Sequence, residues 1–354
     1  MSGHSHITLS FDRPSDDTTD RGGDVSAVPC SHLPWLKRYA FSAASSIGHH
    51  DFLFSWPDIV LVHSLFGYHF TWAVRRAVER HLPVLVVPHG ALDPYCFSYR
   101  ARRKRLWLAA HRKWLTKVSF LYSSPYERHA AEPYVQPRSE HVIMWPVQRG
   151  ECPQTNHIPA ANAPDAEARQ LLYVGRLHPM KRIRETVRSF AHIADPRWRL
   201  LIAGPESQEV TANDLARDAG PAWGHSVIYL GSLPKAGLQK LYAQAAGLVL
   251  LSARENFGNV VAEALSQGCP AYVSTSVGTA FIVEQHGGGL SFPVASESDV
   301  HTAMERILSL STDETVRHKK EARLTDAVPS LESFTMQLDV LLSGLVDGEP
   351  PRMG

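Results

Sequence analysis

The chain has 354 residues, of which 44% are hydrophobic and 20% are charged, and its formal net charge is +1. This balance is typical of a globular protein with one large or two medium domains, and it excludes a general attraction to nucleic acid. The four cysteines are scattered, without a C-x-x-C pair, which favours a reducing compartment. No apolar run approaches about 18 residues. We therefore expect a cytoplasmic protein.

The first half of the chain predicts a leader followed by an α/β domain. Residues 1–30 are polar and weakly patterned, so we expect a mostly disordered leader with one short strand at 7–11. Residues 31–150 are predicted to form the first domain. Within it, apolar runs of the buried parallel type alternate with helical stretches. The predicted strands are 58–64, 83–90, 118–124 and 141–146.

A second block of the same kind follows a segment without periodicity. Residues 151–168 are rich in Pro, Asn and Ala and are predicted to be an interdomain linker. Residues 169–328 again alternate apolar runs with amphipathic helices, from a strand at 169–175 through one at 247–252 to a last predicted strand at 270–275. Residues 329–354 are predicted to form a last helix and a tail. Two such blocks predict an α/β protein with two Rossmann-like, doubly wound domains. Because little chain precedes the strand at 58–64, we expect either a truncated start or a first domain that is reduced at its N-terminus.

The helices of the second block carry apolar stripes that predict which faces are buried. Their members recur at helical spacing. They are Ile183, Val187 and Phe190, then Leu238, Leu241, Tyr242 and Ala245, and in the last helix Phe334, Leu338, Leu341 and Leu345.

Polar residues follow the predicted strands of the second block. Ligands of open α/β sheets bind at the carboxyl ends of the strands, so these residues are candidates for one site. Arg176 and Lys181 lie after LLYVG, near a helix start, where the helix dipole disfavours cations. An anion such as a diphosphate would explain them, although a pair of solvated surface charges is equally consistent with the spacing.

The segment RENFGNVVAEALSQGCP carries two carboxylates, Glu255 and Glu263. A helix predicted to begin near Phe257 would direct free N–H groups towards an anion, and Gly258 would allow the backbone to approach it. Glu263 is able to accept hydrogen bonds from a vicinal diol such as a ribose, and Glu255 from the hydroxyls of a sugar. Pairing of Glu263 with a basic residue is the structural alternative.

Three segments together resemble the donor-binding half of retaining GT-B glycosyltransferases of family 4. They are LLYVGRLHPMKRI, VIYLGSLPKAGLQKLYAQA and LLSARENFGNVVAEALSQGCPAYVS. The resemblance is close over about 170–290 and looser over 55–145. It implies a GT-B fold, in which the first domain lies on the acceptor side, the second binds a nucleotide sugar, and the two face each other across a cleft.

The resemblance also implies roles for individual residues. Arg176 and Lys181 would neutralise the donor diphosphate, and Glu263 would hold the ribose. Glu255 and His89, the latter in PHGALDPY, would contact the transferred sugar. The alternative role for His89 is a hydrogen-bonded interdomain histidine. The other implied donor-binding residues are Gly204, Asn256, Phe257, Gly258, Asn259 and Val260. No D-x-D motif follows an apolar strand, so neither a metal nor another cofactor is expected, and the two cations would replace the metal.

The segment 99–118 is strongly basic, with leucines and tryptophans interleaved. Its candidate patch residues are Arg102, Arg103, Lys104, Arg105, Arg112 and Lys113. Such a helix suits an anionic membrane surface, which would place the protein on the inner face of the membrane, or a lipid-diphosphate acceptor. The alternative is a solvated helix face whose tryptophans point into the core. No base-reading motif accompanies the charge, so nucleic acid is not expected as a partner.

The sequence thus predicts a retaining, metal-independent glycosyltransferase. Its partners would be a nucleoside diphosphate sugar and a glycan or lipid-linked acceptor of cell-surface polysaccharide or glycolipid biosynthesis. Two alternatives are another GT-B enzyme, such as a nucleotide-sugar epimerase or a phosphorylase, and a non-catalytic subunit that binds nucleotide sugars.

Overall fold

The computed structural model describes most of the chain after residue 56. The described ranges are 57–147, 169–324 and 327–348, together with the backbone of two short strands at Ile7–Ser10 (β1) and Asp24–Ala27 (β2). These two strands pair in parallel, so the strand predicted at 7–11 is present. The rest of the predicted leader and the predicted linker lie outside the described residues.

The chain divides into two compact units. One comprises residues up to Ile143 together with those from Thr335 onward, and the other comprises Met144–Phe334. Each contains a wholly parallel sheet flanked by helices, which confirms the predicted α/β class.

The first unit has a four-stranded sheet in the order β3-β4-β5-β6. Its strands are Val60–His63 (β3), Val84–Val87 (β4), Ser119–Tyr122 (β5) and Ser139–Val142 (β6). Its helices are Tyr68–Glu79 (α1), Pro94–Ser98 (α2), Ala101–Leu115 (α3) and Pro125–Ala131 (α4). Every residue of the two central strands is buried, which explains why these strands are continuous apolar runs.

The second unit has a six-stranded sheet in the order β12-β11-β10-β7-β8-β9. Its strands are Arg169–Val174 (β7), Trp198–Ala203 (β8), Val227–Gly231 (β9), Gly247–Leu250 (β10), Ala271–Ser274 (β11) and Gly289–Phe292 (β12). Its helices are Ile183–Ile193 (α5), Ala212–Ala219 (α6), Lys235–Gln244 (α7), Asn259–Ser266 (α8), Ala280–His286 (α9), Glu297–Leu308 (α10) and Thr312–Leu324 (α11).

The predicted apolar stripes pack inward in the second unit. Ile183, Val187 and Phe190 on α5 are each at most 2% exposed, and so are Trp198 on β8 and Tyr242 on α7. Burial of such side chains stabilises the fold by about 1.5–3 kcal/mol each. The stripes therefore attach these helices to the sheet that carries the candidate site.

A last helix, Leu331–Asp347 (α12), ends the described chain. Its predicted apolar face is present, with Leu341 buried. None of the helices among the described residues is both long and apolar enough to cross a membrane.

Candidate functional site

The strand order of the second unit reverses between β7 and β10. These two strands are neighbours, with Leu171 opposite Gly247, while the chain runs to β8 and β9 on one side and to β11 and β12 on the other. Such a reversal opens a crevice at the carboxyl ends of the two strands. The loop with Arg176 and Lys181 follows β7, and the loop with Glu255 follows β10. The structure thus brings the predicted residues to one edge of the sheet.

Two glycines set the path of the chain where β7 and β8 end. Gly175 and Gly204 have φ values of +152° and +147°, and a Cβ on Gly204 would lie 2.0 Å from the Gly175 carbonyl oxygen. The Tyr173 hydroxyl donates to the Arg176 carbonyl at 3.1 Å. The loop that carries Arg176 is therefore packed backbone against backbone, and Gly204 is required for that close approach.

Lys181 and Glu255 were predicted as separate contacts, and the structure pairs them. Lys181 ends a short 3₁₀ turn, Pro179–Lys181, and the Ala253 N–H donates to the Met180 carbonyl at 2.9 Å. This backbone bond ties the lysine loop to the glutamate loop. The Lys181 ammonium contacts the Glu255 carboxylate, and their side chains are 17% and 21% exposed.

The surroundings of Lys181 disfavour its charged form. Burial, together with the nearby Arg176 guanidinium, lowers the pKa of Lys181 to about 8. Arg176 itself is exposed and lines a cleft of about 460 Å³ with residues 206–209.

The loop after β11, which the sequence did not indicate, is hydrogen-bonded to the backbone of Glu255. The Glu255 N–H donates to the Ser276 carbonyl at 3.1 Å, and the Gly278 N–H donates to the Glu255 carbonyl at 2.9 Å. A Cβ on Gly278 would lie 1.9 Å from the Asn256 carbonyl oxygen. The glycine shortly after β11 was the available signal for this close approach.

Helix α8 begins at the site, as predicted. Gly258 is its N-cap with φ +89°, and no side chain caps its first turn, which starts with Asn259 and Val260. A Cβ on Gly258 would lie 2.8 Å from the Val277 Cγ1. Phe257 is only 4% exposed and packs in the hydrophobic core, so its role here is to anchor the loop.

Glu263 pairs with a tyrosine, whereas the alternative considered from sequence was a basic partner. The Tyr242 hydroxyl on α7 donates to Glu263 Oε2 at 3.2 Å. Burial raises the pKa of the half-buried Glu263 carboxyl, and the Tyr242 hydrogen bond and Lys235 act against that rise.

His89 lies in the first unit, shortly after β4. Its backbone is left-handed, with φ +51°, and its Nε2 lies 2.8 Å from His63 Nδ1. The following Gly90 N–H donates to Glu127 Oε1 at 2.5 Å, and this buried carboxylate also accepts from the Ser123 N–H at 2.8 Å. Glu127, which the sequence did not single out, thus fixes the His-Gly turn.

The basic patch lies on helix α3. Arg102, Arg103, Arg105, Arg112 and Lys113 are exposed. Lys104 differs, because its ammonium is turned inward towards the Cys96 carbonyl and lies 5.1 Å from the centre of the Phe66 ring. Trp107 and Trp114 pack against the core, as the alternative interpretation predicted.

Within the described ranges, no group of three or more His, Cys, Asp or Glu side chains is placed to hold a metal ion.

Comparison with known proteins supports an enzyme of the glycosyltransferase class. Residues 154–325 match the model of glycosyl transferases group 1. The GDP-mannose:cellobiosyl-diphosphopolyprenol alpha-mannosyltransferase of Xanthomonas oryzae is 25% identical over 72% of this chain and 64% of its own. The O-antigen chain mannosyltransferase B of Escherichia coli is 29% identical over 43% of this chain and 39% of its own.

A solved structure of Anabaena HepE in complex with UDP and glucose has a TM-score of 0.68 to this chain. It is 14% identical, and the likeness covers 91% of this chain and 86% of HepE. Such a likeness shows the fold, and it confirms the predicted GT-B fold. The chain spans between 36% and 64% of the length of the curated relatives that it matches.

Proposed function

We propose that the protein is a retaining, metal-independent glycosyltransferase that uses a nucleoside diphosphate sugar. The observation that carries this proposal is the Lys181–Glu255 contact at the β7/β10 crevice, with Arg176 on the same loop as the lysine. A cation pair and the start of a helix are suited to a diphosphate, and a carboxylate beside them is suited to sugar hydroxyls.

In this proposal the donor replaces Glu255 as the partner of Lys181. The diphosphate binds Arg176 and Lys181, and Glu255 then accepts hydrogen bonds from the transferred sugar. The bond between the anomeric carbon and the diphosphate breaks, a bond to the acceptor oxygen forms on the same face, and the acceptor proton leaves with the diphosphate. Fixed cations and helix N–H groups stabilise the departing charge without a metal.

The relatives suggest which substrates to test first. Both relatives named above are mannosyltransferases, and the name of the Xanthomonas oryzae enzyme gives GDP-mannose as its donor and a cellobiosyl-diphosphopolyprenol as its acceptor. We therefore propose GDP-mannose as the donor and a lipid-linked diphosphate glycan of a cell-surface polysaccharide as the acceptor. The exposed arginines of α3, with Tyr99 and Leu106 exposed beside them, form the surface that we propose lies against an anionic membrane.

The test is transfer by the purified full chain. The chain is incubated with GDP-mannose or UDP-glucose and a cellobiosyl-diphosphate lipid, with and without EDTA, and the products are analysed by mass spectrometry and NMR. We expect one added hexose with the anomeric configuration of the donor, unaffected by EDTA. Inversion, or loss of activity on chelation, would contradict the mechanism. Isomerised donor without transfer would indicate an epimerase instead.

A further inference from the structure

A buried tyrosine joins the helix after β9 to the helix that carries Glu263. Tyr242 on α7 is 2% exposed, and its hydroxyl donates to Glu263 Oε2 at 3.2 Å. A buried hydroxyl without an acceptor is costly. The hydrogen bond therefore satisfies the tyrosine and at the same time restrains the orientation of the carboxylate.

The same contact leaves acceptor capacity on the carboxylate. An ionised carboxylate has about four lone-pair positions on its two oxygens, and the tyrosine uses one of them. The two hydroxyls of a ribose require two more. Glu263 is therefore able to bind the tyrosine and a vicinal diol at the same time.

Two groups near Glu263 act against the rise of its pKa that burial causes. Burial raises the pKa of Glu263, while Tyr242 and Lys235, both from α7, lower it. Cys269, the other titratable group that interacts with Tyr242, is fully buried, and burial raises the pKa of its thiol. Loss of the tyrosine hydroxyl would therefore leave Glu263 with a still higher pKa.

We propose that Tyr242 is a positioning residue for Glu263: its hydroxyl orients the carboxylate so that the remaining lone pairs accept both ribose hydroxyls of the donor nucleotide. The inference rests on the proposed function, in which Glu263 holds the ribose. It adds that the preference of the site for ribose over deoxyribose depends on a buried side chain on a neighbouring helix, which itself touches no ligand.

The test compares Tyr242→Phe with Tyr272→Phe. Both tyrosines are buried in the same unit, and Tyr272 lies on β11 with its hydroxyl 3.5 Å from His318 Nδ1. Calorimetry gives the affinity of each variant for GDP and 2′-deoxy-GDP, and for UDP and 2′-deoxy-UDP. We expect Tyr242→Phe to weaken the ribonucleotide about 2- to 10-fold. The deoxynucleotide keeps only the 3′-hydroxyl contact to Glu263, so it should be weakened less and the ribo-to-deoxyribo ratio should fall. Tyr272→Phe should keep the wild-type ratio.

A second readout does not depend on a ligand. Carbon-13 NMR of the Glu263 carboxyl, assigned with Glu263→Gln, should show a higher pKa in Tyr242→Phe than in the wild type and in Tyr272→Phe. An unchanged pKa, or an unchanged ribo-to-deoxyribo ratio, would overturn the positioning role.

Failure of the proposed function gives a different result. If Glu263→Gln keeps the wild-type ratio, or if the wild type does not bind either ribonucleotide, then Glu263 is not the ribose ligand, and the positioning role is overturned with it.

Discussion

At the scale of single residues, the Lys181–Glu255 contact predicts opposite effects for its two members. Replacing Glu255 by the isosteric Gln removes the negative charge and leaves the lysine in place. Under the proposed mechanism we expect transfer to fall by about 10²- to 10³-fold, the cost of losing one group that stabilises the transition state.

Binding of GDP to Glu255→Gln should be unchanged or tighter, because Lys181 no longer has a competing carboxylate. Calorimetry alongside the transfer assay separates the two effects. Wild-type turnover in this variant would show that Glu255 does not act on the sugar.

Replacing Lys181 by Met should have the reverse effect on binding. A hydrogen bond to a charged group contributes about 1.5–3 kcal/mol, so GDP affinity should fall about 10- to 100-fold. Lys320, an exposed lysine on α11 in the same unit, is the matched control, and Lys320→Met should bind like the wild type. Equal GDP affinities in Lys181→Met and Lys320→Met would show that Lys181 does not bind the diphosphate.

The pKa of Lys181 also predicts how binding depends on pH. The ammonium form binds the diphosphate, and in the ligand-free protein the pKa of this group is lowered to about 8. A bound diphosphate favours the charged form and raises that pKa. Affinity is therefore retained below pH 8 and falls as the pH rises above it, by at most about tenfold per pH unit. Calorimetry of GDP binding across this range should show the fall in the wild type, and a flat profile in Lys181→Met.

At the scale of elements, the loop after β11 determines whether the Glu255 loop has its observed shape. A Cβ on Gly278 would collide with backbone, at 1.9 Å from the Asn256 carbonyl oxygen. We expect Gly278→Ala to lower the free energy of unfolding by about 1–3 kcal/mol and to weaken GDP binding.

Gly237 on α7 provides the matched control. The atoms nearest to its added Cβ lie 3.7 Å away, so Gly237→Ala should stabilise the protein by about 0.5–1 kcal/mol. Denaturant unfolding of both variants measures these changes. A Gly278→Ala variant as stable as the wild type would show that the two loops separate easily.

The elements also show which parts of the fold a single sequence can reveal. Buried parallel strands such as β4 and β10 are short apolar runs, and helix α5 has a strong apolar stripe, so these were predicted correctly. Strands β2 and β12 and helices α2, α9, α10 and α11 were missed. β12 is only half-buried, and α11 is mostly polar, so neither has a clear hydrophobic period. The capping box of α10, Ser296 with Asp299, was a usable signal.

The candidate site was predictable to the level of residue types at strand ends. Arg176, Lys181, Glu255 and Glu263 follow strands of one doubly wound sheet, so their convergence follows from topology. The side chains that pair with these residues could not be predicted from topology. Tyr242 and Glu263 lie on different helices, and their contact depends on how these two helices pack. The local sequence pattern does not encode that packing.

At the scale of the whole molecule, the basic face of α3 predicts salt-dependent binding to anionic vesicles. The variant Arg102→Glu/Arg105→Glu reverses two exposed charges on this face. Each basic residue near an anionic surface contributes about 1 kcal/mol, so the variant should lose about 2 kcal/mol or more of binding free energy, which is about 30-fold.

Exposed charges on α11 supply the comparison. Arg317→Glu/Lys320→Glu makes the same change in net charge on a different helix. Sedimentation with phosphatidylglycerol vesicles should distinguish the two variants at low salt, and the difference should shrink as salt is added. Equal loss in both variants would attribute the binding to net charge instead of to this face.

The reversal of strand order between β7 and β10 has a consequence for how the protein folds. The two strands that flank the crevice are far apart in the chain, whereas β7 pairs with the next strand, β8, across a single connection that contains helix α5. Closing a long loop before its contacts form slows folding, so the β7–β10 pairing should be among the later events. During refolding, helical circular dichroism should recover before the ability to bind nucleotide.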